Sequence, residues 1–403
     1  MTGDPTNAAE PPTRPSGGPS RRGFLLGAAA GAVGGALVGA GGTRALDGTG
    51  RGGADGSPTA GTTTPGTDDA TVVDPHGTHQ AGIDRPTTLQ RHAELAVLDL
   101  PERLPSRADL ADLLDGVGER ITTLVAGTDP DLGGLRPTRL TVTVGIGPRV
   151  VRTFLPGAPA ADDLPAFARD ALVDEGGDLA VLVRCDVGPT AARAVSALHR
   201  ETGLDVSWSA SAFAGPPEGL AARNLLGFHD GLSIPRTDDE LATTVWSARP
   251  MGSTTLVVRR MPIDVARFGA QTVTQQDDAI GRSRATGIPL SGGSQADGPD
   301  LDAKTPDGRY LVPVDAHIRR AHPLPAGLDG LMLRRSYSFA DGPDREGLLF
   351  MAFGADTSLF VRTQQRLDEQ DALMAFTRTT ASASFLVLPG FTPARGLGTA
   401  LRA

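Results

Sequence analysis

The chain has 403 residues, a formal net charge of −9 and an isoelectric point of about 5.3. That acidic balance offers nucleic acid no basic face, so nucleic acid is excluded as a partner. Cys185 is the single cysteine, which rules out an internal disulfide, and its place at the end of an apolar run predicts a buried, unreactive thiol.

The N-terminal end carries address information. Ser20-Arg21-Arg22-Gly23-Phe24-Leu25-Leu26 is followed by a run of small apolar residues to about Gly42. Adjacent arginines, a Phe-Leu pair and a weakly hydrophobic Gly/Ala run predict a twin-arginine export signal over residues 1–46. An ordinary secretion signal and a retained membrane anchor are the alternatives, since the run approaches the length of a membrane span. The expected location is extracytoplasmic: cell envelope, periplasm or medium. Residues 47–75 are rich in Gly, Thr, Asp and Pro and predict a disordered linker.

From Ser106 onward the chain alternates helical and strand patterns. Leu110, Leu113, Leu114, Val117 and Ile121 recur at helical spacing, with Ser106 able to cap the start and Gly127 the end. Leu140–Val144 alternates apolar residues with threonine and predicts a half-buried strand. Leu164–Leu172 reads as a helix, Leu179–Val183 as a buried strand, and Pro189–Arg200 as a helix opened by proline. Beyond Arg236, strands are predicted at Thr254–Arg260, Leu331–Phe339, Leu348–Phe353 and Ala383–Leu388, with helices at Ile263–Phe268 and Leu367–Thr379. The two halves have similar element patterns without a sequence repeat. Two domains are expected, over residues 76–235 and 236–403.

Three stretches stand out. Arg223–Pro235 reads RNLLGFHDGLSIP and sets one carboxylate, Asp230, between Gly227 and Gly231, with Leu225, Leu226 and Phe228 to hold the loop on a core. Asp-Gly is also a common turn, so a plain turn explains the stretch taken alone. Asp315–Pro323 reads DAHIRRAHP and offers two histidines, His317 and His322. Gly330–Phe339 reads GLMLRRSYSF, in which Arg334 and Arg335 face opposite sides of a predicted strand.

In this order and spacing the three stretches resemble the dye-decolorising peroxidases, a family of haem enzymes, and within it the twin-arginine-exported deferrochelatase/peroxidase subgroup. GFHDG resembles the family's distal GxxDG motif, AHIRRAHP its proximal-histidine segment and LRRSYSF its distal-arginine strand. QAGI (Gln80–Ile83), LTVTVGIGP (Leu140–Pro148), GGDLAVLV (Gly176–Val183) and GRSRATGIPLSG (Gly281–Gly292) extend the agreement. The resemblance implies an α+β fold of two ferredoxin-like domains with antiparallel sheets enclosing a haem pocket, and one haem b per chain.

It also assigns roles. His317 falls on the proximal iron ligand, and His322 stands where the family often has asparagine. Asp230 falls on the proton acceptor for peroxide, with the neighbouring His229 a weaker candidate. Arg334 falls on the cation that stabilises the departing oxygen and contacts the cofactor. Arg335 is then a surface or propionate-contacting residue, and Ser336 returns to the pocket face. Gly231, Leu348 and Phe350 are expected to line the pocket, and Asp371 to accept a hydrogen bond from the proximal histidine. Trp208, Trp246, Tyr310 and Tyr337 are the only tryptophans and tyrosines available for an electron relay. The implied function is an exported peroxidase that reduces hydrogen peroxide and oxidises a one-electron donor such as a dye or phenol. Deferrochelatase activity, releasing iron from haem, and non-catalytic haem carriage are the alternatives. The implied partners are peroxide, the reducing substrate, the twin-arginine machinery, iron-uptake proteins and a second copy of the chain.

Overall fold

The computed structural model describes residues 72–322 and 331–402. The export signal and most of the predicted linker lie outside those residues. The first half runs β1 (His92–Asp99), α1 (Arg107–Ala126), β2 (Thr141–Ile146), α2 (Pro148–Phe154), β3 (Asp170–Glu175), β4 (Leu179–Cys185), α3 (Gly188–Thr202) and β5 (Asp205–Phe213). Its antiparallel sheet has the order β5-β1-β4-β2. Strand order and the two crossover helices, α1 and α3, make this a ferredoxin-like unit.

A short hairpin, β6 (Pro217–Glu218) and β7 (Ala221–Ala222), leads into the second half. There follow α4 (Asp238–Thr244), β8 (Ser247–Ala248), β9 (Met251–Pro262), α5 (Val265–Gly269), α6 (Val273–Ile280), α7 (His317–Ala321), β10 (Leu333–Arg334) and β11 (Tyr337–Ala340). The last elements are β12 (Glu346–Gly354), α8 (Ser358–Gln370), β13 (Thr379–Val387) and α9 (Thr399–Arg402). The sheet order β11-β12-β9-β13 repeats the first unit's pattern. The two sheets also meet at both edges, through Phe213 opposite Ser338 and through Ile146 and Gly145 opposite Leu386 and Val387. The fold is therefore α+β, two ferredoxin-like units with antiparallel sheets.

Side-chain parity decides what lies on each face. Leu95, Val97, Leu182, Leu349, Met351 and Phe385 fill the space between the sheets. On the outer face of the first sheet, Leu110, Leu114, Val117 and Ile121 of α1 pack with Val142 and Val144. Each such buried side chain contributes about 1.5–3 kcal/mol. The outer face of the second sheet instead presents Arg334, Ser336, Ser338, Leu348 and Phe350 to a cavity. The cavity is walled on its other sides by α7, α8 and the loop after β7.

Helix α1 starts and stops as its caps predict: Ser106 accepts from Asp109 N at 3.1 Å, and Gly127 closes the helix at φ +72°. Other expectations are corrected. Leu140–Val144 belongs to a strand buried on both faces, because Thr141 and Thr143 point between the sheets and hydrogen-bond to Gln90 and the Ala81 carbonyl. Leu164–Leu172 is not helical: the Asp170 carboxylate accepts from Phe167 N at 2.9 Å and pairs with Arg259, and Asp170 opens β3 beside β13. The predicted helix Leu367–Thr379 lies earlier, in α8. Asp371 ends it, turning the chain into a 3-10 segment, Ala372–Phe376, before β13. Leu331–Phe339 is two short strands, interrupted at Arg335 and Ser336. β1 and β5 had no counterpart among the predicted elements.

Candidate active site

Helix α7 is a single turn with no side-chain N-cap, so its position comes from tertiary contacts. Arg319 Nη2 donates to the carbonyls of Leu301 and Val312, both at 2.7 Å. Arg320 Nη2 donates to the Arg366 carbonyl on α8 at 2.9 Å. Ala372 N donates to the Asp315 carbonyl at 2.9 Å, which ties the residues just before His317 to those just after Asp371. Gly281 lies against the helix at φ +92°, and a Cβ there would come within 2.6 Å of Ile318 Cγ1; only glycine fits.

That scaffold brings His317 and Asp371 together. His317 Nδ1 donates to Asp371 Oδ2 at 2.6 Å, with the carboxylate fully buried and the imidazole 32% accessible. Burial works against the His317 imidazolium, but the Asp371 carboxylate outweighs it and the net direction is upward. The hydrogen bond fixes the tautomer and leaves Nε2 as the ring nitrogen free to bind a metal. His322 ends α7 and also borders the cavity.

The loop carrying Asp230 is held at several points. Asn224 Oδ1 accepts from Leu226 N at 3.0 Å and Phe228 N at 3.2 Å. Arg223 donates to the carbonyls of Gly227 at 2.7 Å and Ala285 at 3.1 Å. Asp230 N donates to the Ala222 carbonyl at 3.0 Å. Gly231, at φ +85°, supplies the left-handed turn that presents the Asp230 carboxylate. Leu226 and Phe228 are buried against Phe268, while Leu225 borders the cavity. The stretch is thus a turn and a cavity wall at once. His229 also faces the cavity, but its Nδ1 is buried without a hydrogen-bond partner among the described residues. Burial first, and the Arg223 charge second, hold its imidazole below the ordinary range.

Across β10 and β11 the two arginines separate. Arg334 lines the cavity and is steadied by one bond, Nη1 to the Ser233 carbonyl at 3.1 Å. Arg335 is neither on the surface nor at the cavity. It is 2% exposed, points between the sheets and donates to the Thr87 carbonyl at 2.8 Å and to Pro86. Strand parity continues through the interruption, so Ser336 returns to the cavity, where its Oγ accepts from Met351 N at 3.3 Å.

Asp230, Gly231, His317, Arg334, Leu348 and Phe350 all border one cavity of about 590 Å³. Three contributors, Arg282, Phe360 and Leu367, carried no assigned role at the sequence level. Arg282, 5% exposed, donates to the carbonyls of Gly287 at 2.8 Å and Asp297 at 3.0 Å and holds that loop at the cavity edge. Phe360 and Leu367 of α8 supply apolar wall. GRSRATG had marked the Arg282 region; nothing local marks Phe360 or Leu367, which depend on where α8 docks.

Residues 221–392 match the family model for the C-terminal part of DyP-type peroxidases. A dye-decolorizing peroxidase of Thermobifida fusca is 34% identical over 295 residues, covering 66% of this chain and 68% of that protein. The chain belongs to the DyP-type peroxidase family. A deferrochelatase of Escherichia coli K12 is 28% identical over 360 residues, covering 78% of this chain and 83% of the relative. Among solved structures, a DyP-type peroxidase from Cellulomonas bogoriensis superposes with a TM-score of 0.75 at 32% identity, covering 83% of this chain and 99% of its own. Ferric DtpA from Streptomyces lividans does so with a TM-score of 0.77 at 31% identity, covering 84% and 100%.

The cavity fits the haem of such peroxidases. Its volume lies in the range of cofactor sites and its broad walls are apolar. One imidazole, backed by a buried carboxylate, offers a single nitrogen to an iron, and Asp230 and Arg334 bring polar groups to the same space. The aromatic residues are dispersed. Tyr337 and Trp208 are buried between the sheets, Trp246 stacks on His79 at 3.5 Å, and Tyr310 lies between Lys304 and Arg319.

Proposed function

We propose that this chain is an exported haem b peroxidase in which His317 ligates the iron and Asp230 and Arg334 act on hydrogen peroxide. The observation that carries the reading is that His317, backed by Asp371, borders one cavity with Asp230 and Arg334, although the four residues come from separate segments. Haem, when bound, would supply the redox chemistry, the two electrons that reduce peroxide coming from the cofactor as a whole and being restored one at a time by a donor such as a dye or phenol.

The chain's own groups have distinct tasks. Asp371 holds His317 in the tautomer whose Nε2 can ligate, and its charge makes the imidazole a stronger ligand. The Asp230 carboxylate takes a proton from one peroxide oxygen and returns one to the departing oxygen. Arg334 keeps one nitrogen on Ser233, and the rest of its guanidinium donates hydrogen bonds to the charge that builds on that oxygen. Leu348, Phe350 and Phe360 keep the surroundings apolar, which strengthens both electrostatic effects.

The purified protein should carry a Soret band that shifts when peroxide is added. His317→Ala should lose the band and His322→Ala keep it; the reverse would assign the ligand to His322. A carrier would give an unchanged spectrum with peroxide. The deferrochelatase relative supports a second reading, iron release from haem, and recovery of iron-free porphyrin with an intact ring would favour it. Export rests on Arg21 and Arg22. Replacing both with lysine should leave folded, haem-loaded protein in the cytoplasm, and continued export would point to another signal type.

A further inference from the structure

Behind Arg334, the space between the two sheets holds a second group of polar residues that the peroxidase chemistry does not use. Arg184 on β4 is 0% exposed and Arg335 is 2% exposed. Arg184 donates to Thr143 Oγ1 at 3.5 Å, and among the described residues its Nε and Nη1 have no hydrogen-bond partner within that distance. Among the same residues Arg335 Nε has none either, its other nitrogens being taken by the Thr87 and Pro86 carbonyls. The Tyr337 hydroxyl is buried in the same region, close enough to Arg184 to take a hydrogen bond from it and within electrostatic reach of both arginines, and among the described residues its own O–H has no acceptor.

Charge is unbalanced there. Asp84 acts on Arg335 electrostatically, but the ion pair it makes is with Arg85, at 3.9 Å. Asp186, the next acid, is paired with Arg139 at 3.3 Å. Asp84 and Asp186 are each opposite another arginine, so among the described residues Arg184 and Arg335 have no carboxylate of their own, in a buried setting where unpaired charge is strongly disfavoured. The unpartnered atoms of Arg184, Arg335 and Tyr337 are donors. Burial, with Arg184's charge second, pushes the Arg335 guanidinium down to about 10, and burial raises the Tyr337 phenol, so the phenol remains a neutral donor.

We propose that Arg184, Arg335 and Tyr337 form an internal site for one small monovalent anion with the chemistry of chloride, held between the sheets on the side of the strand opposite Arg334. Space favours a monatomic ion. The Phe353 ring centre lies 5.8 Å from Arg184 Cζ, and a Cβ on Gly82 would come within 3.2 Å of Arg184 Nη2. A water molecule could accept from two of these donors but would leave the positive charge uncompensated.

The test uses the haem-loaded wild-type protein crystallised with bromide replacing chloride, with diffraction recorded at the bromine edge. An anomalous peak in contact with Arg184, Arg335 and Tyr337 is expected. In parallel, melting temperature is followed against sodium bromide at constant ionic strength, with gluconate as the replacing anion. A saturable rise is expected, and Tyr337→Phe, which removes one donor, should move the half-saturating concentration up by about tenfold, the loss of one hydrogen bond to a charged group. The proposal is overturned by water without anomalous signal at the site, by a peak only in the His317–Arg334 cavity, by a peak without any melting response, or by an unchanged half-saturating concentration in Tyr337→Phe.

Discussion

Asp371→Ala removes two hydrogen bonds made by one buried carboxylate. Oδ2 accepts from His317 Nδ1 at 2.6 Å, and Oδ1 accepts from Leu373 N at 2.8 Å, capping the 3-10 segment. Losing the first removes a hydrogen bond to a charged group from a half-buried imidazole, at about 2 kcal/mol. Losing the cap costs about 1 kcal/mol more. The haem-free variant should therefore unfold with about 3 kcal/mol less stability in urea. Haem affinity should fall by about 10–100-fold, the usual consequence of removing the partner that orients a metal ligand. Asp371→Asn divides the two effects. Its amide oxygen can still cap Leu373, so little more than the His317 term is lost, but its amide nitrogen facing Nδ1 favours the imidazole protonated on Nε2, which cannot ligate. The assays are urea unfolding of the haem-free protein and haem titration followed by Soret absorbance. Wild-type haem affinity in both variants would refute the account of His317, and equal destabilisation by Asn and Ala would refute the separate capping role.

Asp230→Asn should retain haem but slow peroxide cleavage by about 10²–10⁴-fold in stopped-flow absorbance, and unchanged kinetics would return Asp230 to the role of a turn residue. Gly281→Ala combines a left-handed backbone with a clash on Ile318; it should cost about 1–3 kcal/mol by urea unfolding and lower haem occupancy by displacing α7. His229 is held below its ordinary range in the fold, so the unfolded chain binds more protons as pH falls through about 6.5 and stability declines on acidification. His229→Gln should flatten that acid limb in melting curves taken between about pH 7 and pH 5.

What the sequence by itself determined was local. The caps of α1 were readable because capping involves residues three or four apart. The separation of Arg334 from Arg335 was readable because a strand alternates its faces. The Asp230 loop was readable because Asp-Gly between apolar anchors is turn chemistry, and its motif together with the His317 segment pointed to the family. The tertiary structure decided everything that joins distant residues. The two sheets meet each other over an apolar core, which placed the cavity on the outer face of the second sheet and Arg335 in the interior. Periodicity alone extended a helix through Asp371, whereas in the fold its carboxylate is claimed by Leu373 N and by His317, 54 residues away, and the helix ends there. The helix expected at Leu164–Leu172 gave way in the same way to irregular chain leading into β3, once Asp170 met Arg259. Hydrophobic period and turn chemistry report only on near neighbours along the chain. Which buried polar group meets which partner depends on contacts that form only when the sheets and helices pack.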